Sequence, residues 1–439
     1  MTDLASFAVG SRRGPVLVTV LDLEDEVREV TSERRLGGAY QTLWCFVRRH
    51  GSPLGMVELD FREGIVTADR LHAASAQLGE HVTTTEERRY DTDLPFISVV
   101  VPSLLEREED LKECLAALSS LDYPRFEILL IDNRVGSPPP PPPWLAQYPA
   151  VRVVPERRRG ISEARNRGIA EARGEVVAFT DDDVVVDRLW LRAIGSRLSR
   201  QPEEVGVTGI VLPRSLETAA QLRMEVYSGG FGRRVYEPRT WRLLDERTGA
   251  RGRRRTVGEF DLGGRLHETF PVYAASRFGA GANMAFRTEV LRDLGGFDTL
   301  LGTGTATKGG EDHKIFVQLV WRGYRLGLEP AALVMHSHRR DDSGLRSQLH
   351  GWGTGFSAMI TSLLFDDPWH AAGLAWTLPD FLKLTMRNYR RRSRTARASA
   401  ELGDLSLTRL ARLELRGYLR GPVIYARSRV GQRGRHRAR

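Results

Sequence analysis

Acidic side chains gather at one unusual place in this sequence. Phe179–Asp187 reads FTDDDVVVD, so Asp181, Asp182 and Asp183 follow one apolar run and precede another. Carboxylates packed at one point either share a proton, with one pKa raised, or hold a cation. Hard divalent ions such as Mg2+ or Mn2+ take carboxylate oxygens and keep positions open for phosphates. Alternation along an extended segment sends Asp181 and Asp183 to one side and Asp182 to the other. A D-x-D pair facing a crevice is therefore a natural anchor for a metal and a diphosphate. Other polar groups stand at similar places: FISVVV ends at Pro102–Ser103, and FEILLI ends at Asp132–Asn133. In KGGEDHKIFVQL, Glu311 and Asp312 stand where a helix begins, and its dipole favours them there. Helix capping accounts for one such acid by itself. In HSHRRD the H-x-H spacing of His336 and His338 puts both on one face of an extended segment, as a metal or phosphate site requires. Two polar residues leaving a strand is the plainer alternative.

The elements that must position these groups are legible in the apolar pattern. Phe96–Val101, Phe126–Ile131, Val151–Val154 and Glu175–Phe179 are short, β-branched runs. Between them Asp110–Leu121 and Ser162–Arg173 have helical spacing. This alternation predicts an α/β fold with a mostly parallel sheet covered on both faces. Ligands in such sheets lie at the carboxyl ends of the strands, where the acids are. Pro138–Pro143 is a run of prolines and reads as a stiff polyproline loop. Before residue 95 the pattern differs. Residues 15–70 alternate β-rich runs with a hairpin turn at His50–Pro53, then a helix over Thr67–Leu78 capped by Thr67 or Asp69. Gly79–Leu94 is polar and reads as a linker. The expected organisation is a small β-rich module over 1–90, a main domain over 95–350, and a helical, Arg-rich region over 351–439.

The net charge of +9 over 439 residues favours anionic partners. Much of the excess lies late, in YRRRSRTAR (389–397) and GQRGRHRAR (431–439), which read as solvated tails or as an anionic-ligand surface. A basic nucleic-acid binder would explain the charge but not an acidic cluster at a strand end, so no nucleic-acid partner is expected. Cys45 and Cys114 sit among apolar neighbours and read as core residues. The apolar stretch Val16–Leu21 runs straight into DLEDE, which argues against a signal peptide and for a cytoplasmic protein. The uncharged stretch Gly351–Phe365 is shorter than the ~20 residues a spanning helix needs. With Arg346, His350, Trp352, Trp369, Trp376 and Phe381 it reads either as internal helical packing or as a surface for a membrane and a lipid-linked or hydrophobic acceptor.

The order of these segments resembles the family 2 glycosyltransferases, whose nucleotide-sugar domain has the GT-A fold. The resemblance is carried by FISVVVPS (96–103), YPRFEILLIDN (123–133), RGISEARNRGIAEARGEVVAFTDDDV (159–184), FGAGANMAFRTEVLRDLGGFD (278–298), GGEDHKIFVQLVWRGYRL (309–326) and HSHRRD (336–341). It implies a metal-dependent enzyme that moves one sugar, with inversion, from a nucleotide diphosphate sugar to an acceptor hydroxyl. By the same resemblance Asp132 meets the nucleotide base, and Arg159, Arg165 and Asn166 lie beside the nucleotide. Asp183 is then the direct ligand of Mg2+ or Mn2+, and Asp181 reaches the metal, the ribose or the sugar. Asp182 belongs to the same donor loop, Gly281, Ala282 and Asn283 line the sugar pocket, and His336 or His338 completes the metal site. Glu311–Asp312 match the catalytic acidic pair, with the base assigned to Asp312. Two departures stand out. PSLLERE follows the first strand, which leaves contacts of Ser103, Glu106 and Arg107 to the base open. FVQLVWRGYRL lacks the Q-x-x-R-W signature of processive members, which implies transfer of a single sugar. The alternative enzyme classes are a sugar nucleotidyltransferase and a metal-dependent phosphotransferase, and PSLLERE is not the glycine-rich phosphate loop they need.

Overall fold

The computed structural model describes residues 14–34, 37–78, 93–228, 235–244, 247–248, 252–253, 255–379 and 407–437. Most of the expected linker over 79–94, Phe381 and the 389–397 arginine run lie outside them.

The first described unit is a three-stranded sheet of β1 (Val16–Asp22), β2 (Thr42–Arg49) and β3 (Ser52–Asp60), with β2 in the middle. β1 runs parallel to β2, and β2 and β3 form the expected hairpin around His50 and Gly51. Thr67 caps α1 (Ala68–Ala76), its hydroxyl accepting from the Arg70 amide. Strand β2 is buried on both faces. Leu43, Cys45 and Val47 pack with Leu71 of α1, whereas Trp44 and Phe46 pack with Ile210, Leu212 and Leu333 of the central sheet. The module is thus seated on the main domain through a shared apolar cluster. Polar contacts reinforce it: Arg48 pairs with Asp187 at 2.8 Å, and the Tyr40 hydroxyl donates to Glu217 at 2.8 Å.

The main domain follows in the expected order. It comprises β4 (Ile97–Ser103), α2 (Glu108–Ser119), β5 (Phe126–Asp132), β6 (Val151–Pro155), α3 (Ile161–Glu171), β7 (Val176–Phe179), β8 (Val184–Val186) and α4 (Trp190–Arg200). Beyond these come β9 (Glu204–Pro213), α5 (Ala219–Ser228), β10 (Arg239–Leu243), β11 (Thr256–Phe260), β12 (Leu266–Pro271), β13 (Met284–Arg287), α6 (Thr288–Leu294), α7 (Glu311–Trp321) and β14 (Arg325–His336). The strands build one sheet in the order β12-β11-β10-β14-β9-β13-β7-β4-β5-β6, with β8 paired to β14.

The sheet is mixed. Its first half, β7-β4-β5-β6, is parallel as the buried apolar runs predict. Beyond β7 it turns antiparallel at β13 and again at β10, β11 and β12, while β9 and β14 pair in parallel. Parallel pairing needs long crossovers, and only β10 to β11 and β11 to β12 are joined by short connections that suit antiparallel neighbours. The other antiparallel pairs join strands distant in the chain. β4 is buried along its whole length between apolar layers from α2 on one face and α3 on the other. Cys45 and Cys114 are buried and unbridged, as expected of core residues.

After β14 come α8 (Asp342–Asp366), a helical run over 369–379, and α9 (Leu407–Arg437). The glycines of α8 explain how it packs. A Cβ on Gly355 would lie 2.6 Å from the Gly309 carbonyl carbon, and one on Gly353 would lie 2.1 Å from the Glu414 carbonyl oxygen of α9. One face of α8 therefore lies on the loop before α7 and another on α9, which is internal helical packing. Among the described residues, no helix is long and apolar enough to cross a membrane.

Candidate active site

Tertiary pairing assembles the site from distant segments. Asp181–Asp183 form the turn between β7 and β8, and the antiparallel pairing of β8 with β14 puts Val184 opposite His336. One ligand atom each from Asp181, Asp183 and His336 then lie within 4.8 Å of one another. His336 Nε2 stands 3.4 Å from Asp183 Oδ1. That Oδ1 and His336 Nδ1 are buried and accept or donate no hydrogen bond among the described residues. Burial pushes the His336 ring below its ordinary pKa, which keeps it neutral and able to ligate. Two carboxylates and one neutral imidazole suit a Mg2+- or Mn2+-like ion. The two histidine rings lie 6.0 Å apart, but the ligand atoms that converge are those of Asp181, Asp183 and His336. His338 lies beyond the end of β14, and its Nε2 meets Glu225 of α5 at 3.3 Å.

Asp182 lies with Asp183 in a turn rather than an extended segment, so alternation does not part the two. Asp182 accepts from the Ser103 hydroxyl at 2.7 Å, and the Arg107 guanidinium forks across Asp182 and Asp183. Burial raises the Asp182 carboxyl to about 6, with Arg107 and Ser103 partly offsetting it. Arg107 takes Asp183 Oδ2 and leaves Oδ1 facing His336. Ser103 and Arg107 thus orient the acidic turn. The role of Arg107 was hidden because its partners lie 75 and 76 residues away in the chain.

Asp132 is buried at the end of β5 and paired on both oxygens. Arg134 donates to Oδ1 at 2.8 Å and to Oδ2 at 3.0 Å, and Arg157 donates to Oδ2 at 3.1 Å. Burial opposes its charge, yet these arginines hold its carboxyl below the ordinary range. Its neighbour Asn133 ties down the loop that leads to α3, donating to the Glu156 and Arg158 carbonyls and accepting from Gly160 N–H. Arg159 is exposed in that loop.

Arg165 is the hub. Its guanidinium is 1% exposed and donates to Asp181 at 3.2 Å, Glu311 at 2.9 Å and the Gly281 carbonyl at 3.2 Å. It also lies over the Phe297 ring, 5.5 Å from the centroid. One side chain of α3 thereby links the acidic turn, the segment before β13 and the start of α7. Asn166 faces elsewhere: its amide donates to the Phe297 carbonyl at 2.8 Å and accepts from the Phe297 N–H at 2.7 Å.

At α7 the two acids differ. Burial pushes Glu311 up to about 7, the Asp312 charge adds to this, and Arg165 opposes it. Asp312 is half-buried and stays below its ordinary range. Burial works against its charge, but His313, Arg165 and the N–H groups of His313 and Gly281 outweigh that. The Gly281 N–H donates to Asp312 Oδ2 at 2.8 Å. A Cβ on Gly281 would come within 2.9 Å of Arg165 and 3.1 Å of Asp312, so this close approach requires glycine. The other two members of that segment lie deeper. Ala282 is in the core, and Asn283 donates to the Ile210 and Ala332 carbonyls while accepting from the Trp190 indole. It fills the register shift where β9 and β14 separate.

Residues 98–295 match the family model described as glycosyl transferase family 2. No curated protein matches the chain. Among solved structures the chain is similar to a mannosyltransferase, PcManGT from Pyrobaculum calidifontis, in complex with GDP-Man and Mn2+. That likeness is at 20% identity and TM-score 0.41, over 76% of this chain and 85% of that one. GalNAc-T7 with UDP, GalNAc and Mn2+ is similar at 20% identity and TM-score 0.40, over 62% of this chain and 48% of that one. TarS of S. aureus is similar at 14% identity and TM-score 0.35, over 61% of this chain and 43% of that one. The acidic turn, Arg165 and the Gly281 segment all fall inside the matched residues, so residues 98–295 carry a glycosyl transferase family 2 domain.

Proposed function

We propose that the domain transfers one sugar from a nucleotide diphosphate sugar to an acceptor hydroxyl with inversion at the anomeric carbon. The observation that carries this reading is the convergence of Asp181, Asp183 and His336 beside the Arg165–Glu311–Asp312 cluster. Asp181, Asp183 and His336 would hold a divalent cation, which when bound supplies charge to offset the leaving diphosphate. Arg107 and Ser103 orient the acidic turn, and Asp132 with its arginines closes the base end of the crevice. Asp312, kept ionised and fixed on the Gly281 N–H, takes the proton from the acceptor hydroxyl as that oxygen attacks. Arg165 holds Glu311 and Asp181 in register with it.

The test separates the two acids. In the Asp312→Asn variant, binding of a nucleotide diphosphate with Mn2+, measured by calorimetry, should persist while turnover falls by about 10²–10⁴-fold. In Asp183→Ala the Mn2+-dependent binding should disappear. Unchanged turnover in Asp312→Asn refutes the base assignment, and unchanged Mn2+ dependence in Asp183→Ala refutes the metal site.

A further inference from the structure

Helix α9 has two faces of different character. The inner face packs through small residues, with Gly417 against the His350 carbonyl and Gly421 against Ser357 and the Thr354 carbonyl of α8. Tyr425 closes this face by donating to Asp298 at 2.8 Å. The outer face is uncovered among the described residues. Leu415, Leu419 and Val423 recur at four-residue spacing and are 56%, 72% and 52% exposed. Arg412, Arg416 and Arg420 recur at the same spacing beside them and are exposed too. The exposed positions of the helix include no acidic residue among those described, because Glu414 turns inward to Tyr227 and Tyr418. Two aromatic side chains of α8 are exposed as well. Trp352 adjoins Gly353, which meets Glu414, and Phe365 lies under the Arg429 guanidinium at 4.8 Å.

Leucines at this exposure have no reason to persist on a solvated helix, and a coiled-coil partner would call for charges of both signs along the seam. A helix with an apolar stripe, a wholly basic flank and adjoining Trp and Phe has the composition of one lying in a membrane interface. Arginine stems bury beside the apolar stripe while their guanidinium groups reach anionic headgroups. We infer that the outer face of α9, with Trp352 and Phe365 of α8, docks the protein on an anionic bilayer surface without crossing it. The charge complementarity of an unbroken basic flank selects this occupant over a second copy of the chain, which would bring arginine against arginine. This face is distinct from the donor crevice, so the inference does not depend on the reaction proposed above.

Co-sedimentation of the full chain with vesicles tests it. Vesicles of phosphatidylcholine with phosphatidylglycerol should bind the protein, and phosphatidylcholine alone should bind it far less. Arg416→Ala with Arg420→Ala should weaken the binding by about tenfold or more. Leu415→Ser with Leu419→Ser should weaken it comparably in high salt, where the arginines are screened. Circular dichroism and Mn2+-dependent nucleotide diphosphate binding should be unchanged in both variants, which shows that the fold is intact. Equal binding to both vesicle types, or anionic binding indifferent to the leucine pair, overturns the proposal. So does dimerisation in light scattering that the leucine pair abolishes, or vesicle-independent binding to homopolymeric RNA at higher affinity than to vesicles.

Discussion

Glu311 and Asp312 are adjacent carboxyls that the fold drives apart. Glu311 points into the protein toward Arg165, while Asp312 points to the Gly281 amide and remains half-buried. Glu311 is raised from 4.5 to about 7, so its neutral form is the one the fold favours. Its contribution to stability is then complete below its unfolded pKa and is lost as pH rises through the folded one. Glu311→Gln should accordingly remove a loss of melting temperature between about pH 4.5 and pH 7 that the wild type shows, as scanning calorimetry across that range will reveal. An identical pH profile in both proteins would contradict the burial of Glu311. The acidic pair and the D-x-D spacing were visible in the sequence because they are local. The roles of Arg107, Arg134 and Arg157 were not, since arginines abound in this chain and only folding selects which ones face a carboxylate.

Among the elements, α7 and α8 show how packing positions chemistry. The loop 302–310 that delivers Glu311 carries Gly302, Gly304 and Gly310 at positive φ, where other residues are strained. Gly310 ends against the Gly355 carbonyl of α8, so helix and loop backbones touch. Gly355→Ala should push this loop away from α8. The expected cost is about 1–3 kcal/mol in chemical denaturation, together with a fall in turnover because the α7 acids shift. Lys314, one turn into α7, explains the other end of the contact. It is buried and paired with Asp298 and Asp366 at 2.7 Å each, with Ser362 at 2.6 Å. Removing its charge in Lys314→Met leaves Asp298 buried without its cation and should cost about 3 kcal/mol. A smaller loss than that of an exposed lysine would show the pair to be solvated. The helical pattern of FVQLVW announced α7, but which backbone the glycines before it approach was decided only in three dimensions.

For the whole molecule, the β1–β3 sheet and the helices α8 and α9 are attached to the central sheet and its helices by apolar contacts, and α8 runs across the boundary expected at 350. Phe46 is 1% exposed and packs with Leu212 and Leu333 of β9 and β14, the strand that also carries His336. Phe46→Ala should destabilise the whole chain by about 3 kcal/mol, measured as a shift of a single unfolding transition. Separate transitions for the two parts would show the module to be independent. Local properties settled much of this architecture in advance. Short β-branched apolar runs and helical apolar spacing placed the β4–β7 half of the sheet and its helices, and the order of six short motifs pointed to the family. The remainder depended on pairing at long range. The antiparallel turn of the sheet beyond β7 and the meeting of Asp183 with His336 across 153 positions arise from strand partners that no local pattern names. The pairing of His338 with Glu225 and the burial of Glu311 have the same origin. Side-chain type and spacing are fixed along the chain, whereas which groups face one another depends on the sheet register that brings their strands together.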